Sequence, residues 1–178
     1  MSQQLYSFFL IIAFVRLYVL KISSKHANQL LHEGAIEYGK TTTKWLAILL
    51  HTLFYFSAFF EGSIQKTQIN WVSWIGFCLI LFSFIMLFWV MKLLGKYWSV
   101  KLIFEPDHQL IEHWLFQRVK HPNYFLNILP ELIGVVLLFH AYVTLIIFIL
   151  PYSLCLYLRI KKENQLVASI KQKEIKQS

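Results

Sequence analysis

The sequence predicts an all-α integral membrane protein. About five transmembrane helices close on a C-terminal helical hairpin, with the N-terminus outside and the C-terminus in the cytoplasm. Three observations carry this reading. Of the 178 residues, 57% are hydrophobic, among them 16 Phe, 9 Tyr and 6 Trp, which leaves too little polar surface for a soluble domain of this length. The apolar residues gather into runs near the roughly 20 residues that a spanning helix needs. The basic residues lie at the ends of those runs. The chain reads as one membrane domain over 1–178, with no room for a second globular unit.

The first run, 5–22, is interrupted by Arg16. It lacks a basic stretch before it and a small-residue cleavage site after it, so it reads as a retained span. The second, 45–60, is short, and the third, 71–94, is the strongest. Runs 125–139 and 141–158 are separated only by His140 and read as a tight hairpin. Charge tests the count. Lys21, Lys25, Lys40 and Lys44 fall in the first loop, and Lys92, Lys96, Lys101, Arg118 and Lys120 in the loop after the third run. Arg159, Lys161, Lys162, Lys171, Lys173 and Lys176 follow the last run, whereas the opposite side offers only Lys66. The positive-inside rule places the two loops and the tail in the cytoplasm.

Trp45, Trp71, Trp74 and Trp98 sit near run ends, as interfacial aromatics do. The tail, 168–178, is Lys- and Gln-rich and reads as a frayed helix or a disordered end. The net charge of +8 is explained by membrane orientation, not by a nucleic-acid partner. Cys78 and Cys155 lie inside apolar runs and read as small buried core residues, with no disulfide framework or metal spacing. A P-loop, a GxGxxG turn, a nucleophile elbow and a His/Cys metal cluster are all absent. No obligate protein partner is evident.

Two polar constellations bracket the hairpin. Lys120-His121-Pro122-Asn123-Tyr124 precedes it, and Arg159-Ile160-Lys161-Lys162-Glu163 follows it. Pro122 suits a first helical turn, where its missing N–H costs nothing. His121 then stands at the helix N-terminus, where free N–H groups favour an anion such as a carboxylate, reinforced by Lys120 and Arg118. The same pattern also describes an ordinary helix start with basic residues at the headgroups. Arg159 and Glu163 are one helical turn apart and share a face. They form either an intrahelical ion pair, in the less favourable order, or two separate ligand groups. Glu131 lies inside a span, where an acid is costly and marks a functional candidate, or a hydrogen bond to a neighbouring helix. Arg16 is its candidate partner, unless it snorkels to the interface. Gly95 suits the end of the third helix, and Tyr97 and Trp98 beyond it are interfacial anchors or part of a pocket wall.

Together these residues resemble the isoprenylcysteine carboxyl methyltransferase superfamily of integral membrane enzymes. The matching elements are Leu94 to Trp98, His108-Gln109-Leu110-Ile111, Lys120 to Tyr124, and Arg159 with Glu163, spread over roughly residues 75–167. The resemblance implies an S-adenosyl-L-methionine site in about 92–167, facing the cytoplasm, with the lipid bilayer as surroundings and a lipophilic small molecule or lipidated chain as acceptor. Carried over by position, His108, Gln109, Leu110, Ile111, Phe116, Lys120, His121, Pro122, Asn123, Tyr124 and Glu163 contact the cofactor. Arg159 faces the methyl acceptor as the catalytic residue, with Glu131 and Trp98 on the acceptor's path. No metal is implied. The sequence departs from the pattern at Trp114, Phe116, Asn164 and Lys120, the last losing the bidentate geometry of arginine. Arg16-Leu17, Lys25, Asn28, Gly34 to Gly39 and Glu131 resemble a bacterial branch that O-methylates long-chain alkylpyrones. Two further readings stand beside this one. An NADPH-dependent membrane reductase of the sterol reductase type has a similar helical arrangement, and a non-catalytic membrane protein would use Arg16 and Glu131 structurally.

Overall fold

The computed structural model describes residues 3–37, 41–100, 103–104 and 113–177. Helix α1 spans Gln3–His32, α2 Thr41–Ile64, α3 Trp71–Leu94, α4 Trp114–Arg118, α5 Leu129–Phe139 and α6 Tyr142–Gln177. Two-residue strands β1 (Ile36–Glu37) and β2 (Ile103–Phe104) pair antiparallel, Ile36 opposite Phe104 and Glu37 opposite Ile103. This small pairing is an addition to the all-α expectation. A π-helical segment, Asn123–Ile128, leads directly into α5.

Helix ends follow local chemistry. The Asn70 side chain caps α3 by accepting from the Ser73 amide at 3.1 Å, satisfying one of the orphan donors of the first turn. Gly95 ends α3 at φ 53°, donating its N–H to the Met91 carbonyl, a conformation that glycine adopts without steric cost. His140 closes α5 in the left-handed region and Tyr142 already begins α6, so the hairpin is as tight as expected. Glu61 of α2 caps α6: its carboxylate accepts from the Val143 amide at 2.9 Å and from the Thr144 amide and hydroxyl at 2.7 Å each.

Four helices are long and apolar enough to cross a membrane: Gln3–His32, Trp45–Ile64, Trp71–Tyr97 and Tyr142–Gln165. Asn123–Phe139 is apolar but shorter. It nevertheless runs from one end of the bundle to the other. His121, just before it, lies against Glu163 of α6, while His140, just after it, lies 3.1 Å from Ser73 Oγ at the start of α3. Side chains such as Leu10, Phe14, Ile146 and Leu150 face outward, as expected where lipid is the solvent.

The bundle packs most extensively along α3 and α5, which meet through glycines. A Cβ on Gly76 would stand 2.5 Å from the Gly134 carbonyl oxygen, and one on Gly134 would stand 2.7 Å from that of Gly76. Small residues permit this close approach, from which helices in lipid gain their packing. One apolar cluster joins Leu5, Ile12, Phe54, Ala58, Ile80, Val135 and Phe139; a second joins Val19, Leu87, Val90, Trp98 and Leu115.

Some expectations are corrected. Helix α1 runs ten residues beyond the apolar run because Ala27 and Leu30 pack with Ala35 and Ile103 in a third cluster. Helix α6 continues past 158 through Arg159 and Glu163, with a helical backbone to Gln177. Trp98 is not an interfacial anchor: it is 3% exposed, inside the second cluster. Trp45, Trp71 and Trp74 are exposed. Cys155 is buried as expected, but Cys78 is exposed on α3.

Candidate functional site

One end of the bundle gathers the polar loops. The stretch after α3 is held to α1 and α6 at once. Val100 donates its amide to Ser23 Oγ at 2.8 Å, His26 Nδ1 donates to the Trp98 carbonyl at 2.9 Å, and Lys96 pairs with Glu33 at 2.6 Å. Arg159 of α6 donates from Nη2 to the Val100 carbonyl at 2.7 Å. The end of α1 and the stretch after α3 therefore meet α6 near Arg159.

The two constellations that bracket the hairpin meet here. His121 Nδ1 is 3.0 Å from Glu163 Oε1, and His121 Nε2 is 3.0 Å from Asn164 Oδ1. The Tyr124 phenol lies near both Arg159 and Glu163. Arg159 and Glu163 thus address separate partners, Val100 and His121, which removes the intrahelical ion pair as the reason for their spacing. His121 adopts φ 57°, a left-handed turn unusual for a residue with a side chain. The turn folds its carbonyl over the helix start, where it accepts from the Tyr124 amide at 3.0 Å and the Phe125 amide at 3.3 Å. This corrects one expectation: these two amides are engaged by the chain itself and are not free for an anion. Pro122 occupies the first turn as expected.

The other positions separate. Asn123 turns toward the bundle interior and accepts from Asn127 Nδ2 at 3.1 Å. Lys120 is exposed, and Phe116 sits on α4 beside the His113 ring at a centroid distance of 6.2 Å. His108, Gln109, Leu110 and Ile111 lie outside the described residues. Imidazole, phenol, carboxylate, guanidinium and amide groups thus converge within a few ångströms, between a helix start and a helix that continues out of the apolar zone. Such a set fits an amino-acid zwitterion, with Glu163 matching an ammonium and His121 and Asn164 a carboxylate or hydroxyl.

Deeper in the bundle, Glu131 is fully buried and pairs with Arg16 of α1, whose Nε donates to Glu131 Oε1 at 2.7 Å. Tyr55 of α2 donates its hydroxyl to the same carboxylate. Arg16 Nη2 also donates to Asn127 Oδ1 at 3.2 Å, and its guanidinium lies 5.7 Å from the Phe84 ring centroid. Ser83 of α3 donates to both oxygens of Asn127, the carbonyl at 2.9 Å and Oδ1 at 3.0 Å. His51 joins Tyr152 of α6, at 2.6 Å, to Tyr55, at 3.1 Å. Arg16 therefore pairs inward rather than snorkelling. Sequence reasoning missed Asn127, Ser83, Tyr55, His51 and Tyr152. The available signal was Asn127, one turn from both Asn123 and Glu131 and so on their face.

Comparison with known proteins adds a family. The profile described as "Isoprenylcysteine carboxyl methyltransferase (ICMT) family" matches residues 74–169. An uncharacterized protein of Haemophilus influenzae (strain ATCC 51907 / DSM 11121 / KW20 / Rd) is 41% identical over 156 residues, 88% of this chain and 90% of its own length. The uncharacterized protein YpbQ of Bacillus subtilis (strain 168) is 30% identical over 148 residues, 82% of this chain and 86% of its own. No solved structure gives a significant match.

Proposed function

The chain belongs to the isoprenylcysteine carboxyl methyltransferase family of membrane methyltransferases, and from that premise we propose that it transfers a methyl group from S-adenosyl-L-methionine to an oxygen acid carried on a lipophilic acceptor. The observation that carries this reading is the meeting of His121, Tyr124, Arg159, Glu163 and Asn164 at one end of an apolar bundle. When bound, the cofactor supplies an electrophilic methyl group on a sulfonium. Glu163 would hold its ammonium or ribose hydroxyls, His121 and Asn164 its carboxylate end, and Tyr124 would offer an aromatic face toward the cation. These contacts would require the His121–Glu163 pair to open, each side chain turning to the ligand.

Arg159 orients the acceptor oxygen with its guanidinium and takes up part of its negative charge. The bound cofactor would supply the methyl group to the acceptor oxygen, the C–O bond forming as the C–S bond breaks, with S-adenosylhomocysteine as the leaving group. A carboxylate is already ionised at neutral pH, so no strong base is required. An acidic hydroxypyrone of the alkylpyrone type would meet the same site largely as its anion. Catalysis then rests on alignment and on exclusion of water. The cofactor reaches the site from the cytoplasm, where the positive-inside rule puts this end of the bundle, and the acceptor reaches it laterally from the bilayer.

The test is calorimetry of the detergent-purified protein with S-adenosyl-L-methionine and, separately, NADPH, using His121→Ala as a control. Saturable binding of S-adenosyl-L-methionine that is lost in the variant is expected. Saturable NADPH binding in its place would overturn the assignment in favour of a reductase.

A further inference from the structure

The segment Asn123–Ile128 is π-helical, with the Leu129 amide donating back to the Tyr124 carbonyl. Such turns are rare because their hydrogen-bond geometry is poorer than that of the α-helix, and conformations of this kind persist where the surroundings over-determine them. Pro130 explains why a regular turn is disfavoured. It has no N–H, and its ring would collide with the carbonyl four residues earlier, on Leu126. Proline alone does not fix how the turn opens. Asn127 does: it is 1% exposed and every polar function of its side chain is engaged. Its Oδ1 accepts from Arg16 and Ser83, its Nδ2 donates to Asn123, and its backbone carbonyl accepts from Ser83. Arg16 is in turn anchored by buried Glu131, one turn further along the same chain.

We infer that Arg16, Ser83 and Asn127 form a positioning clamp that fixes the widened turn and so aims His121 and Tyr124 at Glu163, Asn164 and Arg159. The geometry explains the consequence. Conversion of the π turn to α adds one residue's worth of winding, which rotates everything before it by about 100° relative to α5. Tyr124 and His121 would leave the face they share with α6. The clamp residues are not among those assigned to the cofactor or the acceptor; they act through Asn123 and the backbone. This rests on the methyl-transfer reading only for its benefit to catalysis.

The experiment uses the full chain in detergent with Asn127→Leu, which keeps the volume and leaves the Arg16–Glu131 pair intact, and with the milder Ser83→Ala. Three quantities are read: the His121 imidazole resonances in ¹⁵N-histidine-labelled protein, amide exchange across 124–129, and the Kd of S-adenosyl-L-methionine. The clamp predicts a His121 spectrum moved off its wild-type position. It also predicts exchange and Kd each raised about 2- to 30-fold, the range of indirect couplings between sites, in protein that remains folded. Wild-type His121 resonances and exchange in both variants overturn the clamp. Moved resonances with an unchanged Kd overturn the aiming role. If the wild type itself binds no S-adenosyl-L-methionine but the variants move the His121 resonances, the methyl-transfer reading falls and the clamp stands.

Discussion

Cutting the Arg16–Glu131 pair from either side predicts an asymmetric result. Glu131 is 0% exposed and accepts from Arg16 and Tyr55. Arg16→Ala leaves Tyr55 as its remaining donor among these, and stranding one member of a buried pair costs about 3–5 kcal/mol. Glu131→Ala strands Arg16 less severely. The guanidinium keeps Asn127 and the Phe84 face, and its side chain is 16% exposed. The loss is then closer to that of a hydrogen bond to a charged group, about 1.5–3 kcal/mol. Replacing both residues, as Arg16→Met with Glu131→Leu, removes the charges together and leaves packed apolar volume, a change that is often neutral or stabilising. Equilibrium unfolding in mixed detergent micelles measures all three. The expected order of destabilisation is Arg16→Ala, then Glu131→Ala, then the double variant, with a coupling of several kcal/mol between the sites. Two small, additive single effects would refute the reasoning, because the pair would then contribute little.

Three further outcomes follow from other parts of the molecule. Gly76→Ala drives a Cβ to 2.5 Å from the backbone of α5 and should destabilise by about 1–3 kcal/mol, although alanine favours a helix by about 1 kcal/mol over glycine; a raised melting temperature would contradict this. Glu61→Ala removes the cap of α6 and should cost about 0.5–2 kcal/mol, seen as a lower melting temperature without a change in S-adenosyl-L-methionine affinity, since Glu61 lies at the opposite end from His121. Glu163→Gln should weaken that affinity by about 10- to 150-fold, the worth of a charge-assisted hydrogen bond, as read by calorimetry, while Lys162→Gln on the same turn should leave it near wild type.

Much of the fold was legible because lipid simplifies the code: a span must be apolar and long, and its flanks carry charge. Helix α3 was read with its observed bounds, and the hairpin at His140 followed from two apolar runs with nothing between them. The ends of α1 and α6 were not legible from hydropathy, since both continue into polar sequence. There they are held by local contacts, Ala27 and Leu30 against Ile103 in one case and Arg159 against Val100 in the other. At the candidate site, the meeting of His121 with Glu163 was expected from the two motifs. Their direct pairing was not, because it depends on the left-handed turn at His121. The Arg16–Glu131 contact was anticipated from the cost of each charge in a membrane. Ser83 and His51 were invisible, for a serine or histidine in an apolar run gives no sign of what stands opposite.

The contact between Gly76 and Gly134 also decides where this molecule can breathe. With backbone on backbone, α3 and α5 form a seam too close to admit an acyl chain. Helix α6 is different: it leans chiefly on α2 and meets α5 at few points beyond their shared turn at His140. The two arms of the hairpin thus behave like the legs of a compass, joined at a vertex that Glu61 and Ser73 hold in place. Their spread at the far tips sets the gap between His121 and Glu163. A small change of angle at the vertex would become a large change of aperture at the tips, while the end held by Glu61 and Ser73 stayed in place.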